Sequence, residues 1–232
     1  MGKHTEAASK NTTWPIIRNW HDGSVLIVDT IANAQQELNA EEVELETGAA
    51  PSRIRELRAG RATARAVMQR LGLEPHPLLA DANGAPLWPS GLCGSIAHSA
   101  AHIAVIAARL QSLRSIGIDI DDGRDLGIAA SDVVVSSESS DLVSSGLAGD
   151  LATATRLAFS VKEAIFKCQA PITGFQTLGF LDVVLRATSG GTILAVPSTN
   201  LPGDAVTAIA ATKNIVTELQ GVTVAISVLP PS

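Results

Sequence analysis

Cysteine is scarce. The 232-residue sequence has two, Cys93 and Cys168, far apart in the chain. They fit neither a disulfide framework nor the paired spacing of a zinc site, and a reducing cytoplasm is the natural setting. No apolar run approaches the roughly 18 residues of a membrane-spanning helix, so no membrane is expected. The opening stretch, MGKHTEAASKNTTW, is polar and lacks the apolar core of a signal peptide. Gly2 follows Met1, but Glu6 stands where a myristoylation signal needs Ser or Thr. Positive charge is also in short supply. Seventeen Lys and Arg face 23 Asp and Glu, a net charge of −6, which argues against a general nucleic-acid binder. What is present is a globular composition, with 46% hydrophobic residues in a chain long enough for one large domain or two small ones.

The positive charge is unevenly placed. PSRIRELRAGRATARAVMQRLG, residues 51–72, holds Arg53, Arg55, Arg58, Arg61, Arg65 and Arg70. Pro51 and Ser52 open it as a helix and Gly72 closes it. Ile54, Leu57, Ala64, Val67, Met68 and Leu71 form an apolar face, while Arg58, Arg61 and Arg65, three and four apart, share another. That basic face is either solvated, with Glu56 as a local partner, or a phosphate-binding surface.

SIGIDIDD, residues 115–122, sets carboxylates into a run that otherwise reads as buried strand. By the period-two rule Ile116, Ile118 and Ile120 share one face, and Asp119 and Asp121 share the other. Their Cα atoms lie roughly 6.5–7 Å apart on an ideal strand, near enough to reach one cation. Like charges this close repel unless something positive lies between them or water screens them. The plainer reading is a strand running out into a solvated turn, DDGRDLG.

A third stretch, FSVKEAIFK (residues 159–167), reads as helix. Glu163 and Lys167 are correctly ordered for an i,i+4 ion pair, worth about 0.3–0.5 kcal/mol. Alternatively, Glu163 completes a site with Asp119 and Asp121, and Lys162 and Lys167 hold phosphate oxygens. Three carboxylates and water suit Mg²⁺. A fourth stretch, LWPSGLCGSIAHS (residues 87–99), sets His98 near a strand end, after a loop stiffened by Trp88 and Pro89.

Around these stretches the chain reads as two similar units. The arginine helix is followed by CGSIAHS, HIAVIAARL and SIGIDID as strands, although 100–110 also fits a helix. The second helix, GDLATATRLAFSVKEAIFKCQA, is followed by FLDVVLRAT, GTILAVP, DAVTAIAA and GVTVAISVL, with SGG (189–191) as a hairpin turn. Helix-then-sheet occurring twice predicts a duplicated α+β unit. The Ser-, Asp- and Gly-rich stretch 122–150 connects the units, with SSESSDL as a short helix.

Taken in order, these motifs resemble the 4′-phosphopantetheinyl transferases of the surfactin and enterobactin synthase-activating type. Trp88, Pro89, Gly91, Gly94, Ser95, Ile96 and His98 match W-P-x-G…G-S-[I/L]-[S/T]-H, with Ala97 in place of the hydroxyl residue. Gly117, Ile118, Asp119 and Asp121 match G-[I/V]-D-x-[E/D]. Phe159, Ser160, Lys162, Glu163, Ala164 and Lys167 match [F/W]-S-x-K-E-[A/S]-x-x-K. The likeness spans roughly residues 50–185.

The resemblance implies an α+β pseudodimer, each half a helix on a small antiparallel sheet, with the active site in the cleft between them. The expected halves are residues 1–117, with 1–13 mobile, and 118–232. It implies a monomer that moves the 4′-phosphopantetheine arm of coenzyme A onto a serine of an apo carrier protein. Asp119, Asp121 and Glu163 would hold Mg²⁺ or Mn²⁺. Glu163 would take the serine proton, with Glu138 a weaker candidate, and Lys167 would assist. Arg53, Arg61, His98, Lys162 and Lys167 would bind coenzyme A. Rival classes are another Mg²⁺-dependent enzyme acting on a nucleotide or diphosphate, and a silent paralogue that binds carriers only.

Overall fold

The arginine-rich segment forms helix α1, Pro51–Arg70. Pro51 sits in its first turn, where the missing N–H is no loss. Gly72, at φ +73°, lets the chain leave in the left-handed conformation, while the Leu73 N–H closes back on the Met68 carbonyl. The computed structural model describes residues 16–19, 23–124, 132–173, 179–219 and 221–231. The expected mobile segment 1–13 lies outside the described residues.

Two antiparallel sheets carry the fold. The first, in the order β1-β2-β4-β3, comprises β1 (Ile16–Asn19), β2 (Val25–Thr30), β3 (Leu92–His98) and β4 (His102–Arg109). The second, in the order β5-β9-β8-β7-β6, comprises β5 (Ser115–Asp121), β6 (Val183–Ala187), β7 (Ile193–Pro197), β8 (Lys213–Leu219) and β9 (Val222–Leu229). Helices α2 (Ser136–Ser144), α3 (Leu151–Thr173) and α4 (Gly203–Ala211) complete the second unit. Among the described residues, no helix is long and apolar enough to cross a membrane.

The sheets meet face to face, which explains the apolar runs. On β4, Ile103, Val105 and Ala107 pack with α1, while Ala104, Ile106 and Ala108 face the second sheet. A strand buried on both sides needs no polar alternation, so HIAVIAARL fits a helix as well as a strand by pattern alone. Ile116, Ile118 and Ile120 of β5 join the same inter-sheet core with Val222, Val224, Ile226 and Val228 of β9. The opposite face of β5 carries Gly117, Asp119 and Asp121, and there α3 lies across it.

Gly117 makes that crossing possible. A Cβ on it would overlap the Ala164 carbonyl and stand 2.5 Å from the Cys168 nitrogen, both in the α3 backbone. The Ser115 hydroxyl donates to the Cys168 carbonyl at 2.6 Å and fastens the start of β5 to the same turn. At the seam between the sheets, the Ser95 hydroxyl of β3 accepts the Ile118 N–H of β5 at 3.1 Å.

The structure corrects the strand reading in four stretches. SIGIDID is the edge strand of the second sheet, paired with β9, and not the third strand of the first unit. DAVTAIAA is helical, burying Ala205, Ala208 and Ile209 at helical spacing. VLIVDT and KNIVTEL, outside the strands expected from the sequence, are β2 and β8.

Candidate functional site

Side chains from both units line one cavity of about 360 Å³. Helix α1 supplies Arg53, Glu56 and Arg61, and β3 supplies Ile96 and His98. Asp119 enters from β5, and Glu163 and Lys167 from α3. A neighbouring cavity of about 580 Å³ shares Gly84, Pro86, Ile96, Glu163 and Lys167 with it. Beyond that shared wall the larger lobe is mainly apolar, lined by Leu87, Trp88, Leu92, Phe166, Pro171 and Ile172, with Asn83, Ser95, Arg114 and Ser115 as its polar members. A polar chamber therefore opens into an apolar one across Glu163 and Lys167.

The basic face of α1 divides in two. Arg58 pairs with Glu46 at 2.6 Å, and Arg65 with Glu42 at 3.0 Å. Both acids belong to the short 3₁₀ segment Ala40–Glu46, so this part of the face has local counter-ions. Arg61 differs. It is 5% exposed, lines the polar cavity, and keeps its Nε buried without a hydrogen-bond partner among the described residues. Burial disfavours its charge, and Glu42 only partly offsets that. A buried guanidinium donor facing a cavity is costly unless an anion meets it. Close by, Arg53 Nη1 lies 3.1 Å from His98 Nε2 and 3.2 Å from a Glu56 oxygen. Burial pulls the His98 imidazole below its ordinary pKa, with Glu56 opposing.

The carboxylate wall answers the question posed by SIGIDIDD. Something positive does lie against these acids, and it comes from α3. Lys167 Nζ donates to Asp119 Oδ1 at 2.8 Å and stands 3.7 Å from Glu163 Oε2. Asp119 and Glu163 thus converge on one point. Burial pushes the Glu163 carboxyl above its ordinary pKa; Lys167 opposes the shift and Asp119 adds to it.

Asp121 is not brought to that point. Its Oδ2 accepts Arg156 Nε at 3.1 Å, and its Oδ1 accepts the Gly123 N–H at 2.9 Å. Among the described residues, no group of three His, Cys, Asp or Glu is placed to hold a metal ion. Of the three acids expected to hold a metal, Asp119 and Glu163 line the polar cavity, whereas Asp121 pairs with Arg156 as Asp119 pairs with Lys167. Lys162 also lies elsewhere. It is buried, 3.0 Å from Glu138, and donates to the Val133 and Phe180 carbonyls at 2.9 and 3.1 Å. Glu138 accepts the Val135 and Leu185 N–H groups as well. Both members of this pair have their bonding capacity filled by the fold, so neither faces the cavity expected for them.

Sequence reasoning gave Trp88 a packing role and no more. In the structure its ring covers Gly94, where a Cβ would stand 2.5 Å from Trp88 Cε2. The indole Nε1 is buried without a partner among the described residues, and both residues line the apolar lobe. The Trp88–Gly94 spacing in the motif was the available signal. Glu56, taken as a local partner on the helix, pairs there with Arg53 and also reaches the cavity.

Residues 40–108 match the family model of the 4′-phosphopantetheinyl transferase N-terminal domain. The chain is 39% identical over 132 residues to the 4′-phosphopantetheinyl transferase Svp of Streptomyces mobaraensis, covering 55% of this chain and 52% of that one. It is 32% identical over 123 residues to PptT of Mycobacterium tuberculosis, covering 51% and 52%. To Npt of Nocardia iowensis it is 33% identical over 148 residues, covering 63% and 62%. These matches span about half to six-tenths of each relative's length.

Proposed function

We propose that this chain, which its motifs, its family match and its relatives group with the 4′-phosphopantetheinyl transferases, transfers the 4′-phosphopantetheine arm of coenzyme A to a serine of an apo carrier protein. The observation that carries the reading is the meeting of Arg61 with Asp119, Glu163 and Lys167 in one cavity. A buried guanidinium whose Nε has no partner among the described residues lines the same chamber as two carboxylates and a lysine, and the chamber opens into a mainly apolar lobe. Coenzyme A has a phosphorylated nucleotide, a pyrophosphate and a long, less polar arm, and so suits these parts in turn.

In this reading Arg61, Arg53 and His98 hold the nucleotide phosphate by charge-assisted hydrogen bonds. The serine hydroxyl attacks the phosphorus bearing the pantetheine arm. A new Ser O–P bond forms, and the bond to the bridging oxygen breaks. Adenosine 3′,5′-bisphosphate leaves with the electron pair. Glu163, at the wall between the two cavities, takes the serine proton. Lys167 stands beside the reacting phosphate and offsets charge there.

Asp119 and Glu163, already sharing one cationic neighbour, would hold Mg²⁺, with Asp121 of the same strand face, here paired with Arg156, as the third acid of the expected set. Mn²⁺ has similar demands. Bound there, the ion would neutralise phosphate charge as a Lewis acid. Lys162 supports α3 and takes no part in binding.

The proposed organisation is two halves with the site in the cleft between their sheets. Gly117 and Ile118 are consecutive residues of β5, so the division expected between them moves to the turn before Ser115. The free thiols of Cys93 and Cys168 support a cytoplasmic setting. Mass spectrometry of an apo carrier incubated with coenzyme A and Mg²⁺ tests the function. Gain of one phosphopantetheine is expected; nucleotide hydrolysis without that gain would replace transfer with a different phosphate chemistry.

A further inference from the structure

One acid of the polar chamber has no part in the transfer proposed above. Arg53, Glu56, Leu57, Gly60 and Arg61 form the face that α1 turns to the chamber. Glu56 stands between the two arginines of that face, where its charge opposes the entry of an anion. Glu42 and Glu46, the acids that pair with Arg65 and Arg58, lie outside the chamber lining. Glu56 alone brings a carboxylate to the nucleotide end, so its presence there needs a compensating gain.

The geometry supplies one. Glu56 Oε2 is 3.2 Å from Arg53 Nη1 on its own helix and 3.5 Å from His98 Nε2 on β3. Arg53 Nη1 and His98 Nε2 are 3.1 Å apart. One oxygen therefore gathers two groups from different elements. The Glu56 side chain is 20% exposed, against 49% for Arg53 and 40% for His98. The acid is the inner member of the trio, and the two groups it gathers are the outer ones. One turn along α1, a Cβ on Gly60 would stand 3.4 Å from Ile96 Cγ2, so helix and strand are in close contact where the trio forms. An ordinary i,i+3 ion pair on a solvated helix involves no second element.

We infer that Glu56 is a positioning residue of the nucleotide end: its carboxylate holds Arg53 and His98 beside the buried Arg61, so that the three meet the 3′-phosphate of coenzyme A as one preformed cradle. This rests on the nucleotide reading given above. Glu56 touches no phosphate. Ordering two exposed side chains before the ligand arrives outweighs the repulsion its own charge adds.

Calorimetric titration of the full chain with coenzyme A and with dephospho-coenzyme A, no carrier present, tests this without turnover. Glu56→Gln keeps the size of the side chain and removes its charge. It should weaken coenzyme A about three- to tenfold, less than Arg61→Ala does, because contacts are misplaced and not removed. Dephospho-coenzyme A should bind Glu56→Gln and wild type alike. On an Arg53→Ala background the same change should cost less than in wild type, since one of the groups it places is gone. In turnover with a carrier, kcat/KM for coenzyme A should fall mainly through KM. Unchanged coenzyme A binding in Glu56→Gln would overturn the inference and leave a plain helix ion pair. Tighter binding would overturn it too, making the carboxylate a competitor of the phosphate. If wild type binds the two coenzymes equally, the nucleotide reading itself fails and takes the inference with it.

Discussion

Lys162 and Lys167 sit five residues apart on one helix and have opposite surroundings. Lys162 and Glu138 are 1% and 0% exposed, and together they hold four backbone groups of the surrounding fold. Lys167 is 28% exposed and divides itself unequally between Asp119 and Glu163 at a cavity wall. The residue types are the same, so composition cannot tell them apart. The separating quantity is spare bonding capacity. At Lys162 every donor and acceptor has a protein partner, as a structural ion pair requires. At Lys167 one cation is shared by two acids beside open space, an arrangement that a ligand can enter and rearrange.

The largest expected effect would break the comparison from its buried side. Lys162→Met leaves Glu138 charged and without its cation, which costs about 3–5 kcal/mol. For a chain of this size that corresponds to a fall in Tm of roughly 6–20 °C, measurable by calorimetry. A variant melting like wild type would show that the pair contributes little.

Glu163→Gln should do the reverse, losing at least about 100-fold in transfer while remaining folded. Its raised carboxyl pKa gives the sign for stability. A carboxyl with a higher pKa folded than unfolded contributes stability that is complete below its unfolded value and is lost as pH rises through the folded one. At neutral pH the substitution should therefore leave Tm unchanged or slightly higher. A clear loss of Tm, or a rate near wild type, would erase the distinction between the two lysine sites.

The arginines sharpen the same contrast. Arg61→Ala and His98→Ala should weaken kcat/KM for coenzyme A about ten- to a hundredfold, the scale of charge-assisted contacts. With dephospho-coenzyme A, which lacks the 3′-phosphate, both changes should have little effect, because the partner is already missing. Arg65→Ala, by contrast, removes the partner of buried Glu42 and should lower Tm while leaving the preference between the two substrates intact. Equal losses with both substrates in Arg61→Ala would place the phosphate elsewhere.

The smallest effect expected is at the crossing itself. Gly117→Ala drives a methyl into the backbone of α3, and overpacking of this kind typically costs about 1–3 kcal/mol. Because the shift separates Asp119 from Lys167 and Glu163, kcat should drop with it. If Gly117→Ala were stable and fully active, the close approach would not set the site.

Much of this was legible in the sequence because it is local. The extent of α1, the helical run through Phe159–Lys167 and the shared face of Asp119 and Asp121 follow from periods of 3.6 and 2 and from chain punctuation at Pro51 and Gly72. Shared motifs also brought His98, Asp119, Glu163 and Lys167 into one group, and they line one cavity. The tertiary structure decided what each charged residue meets. β5 pairs with a strand some hundred residues later, DAVTAIAA coils because its buried positions recur at helical spacing, and Asp121 and Lys162 turn to Arg156 and Glu138. Periodicity places a side chain on a face of its own element; its charge partner is set by whichever element packs there, and at β5 that depends on the missing side chain of Gly117.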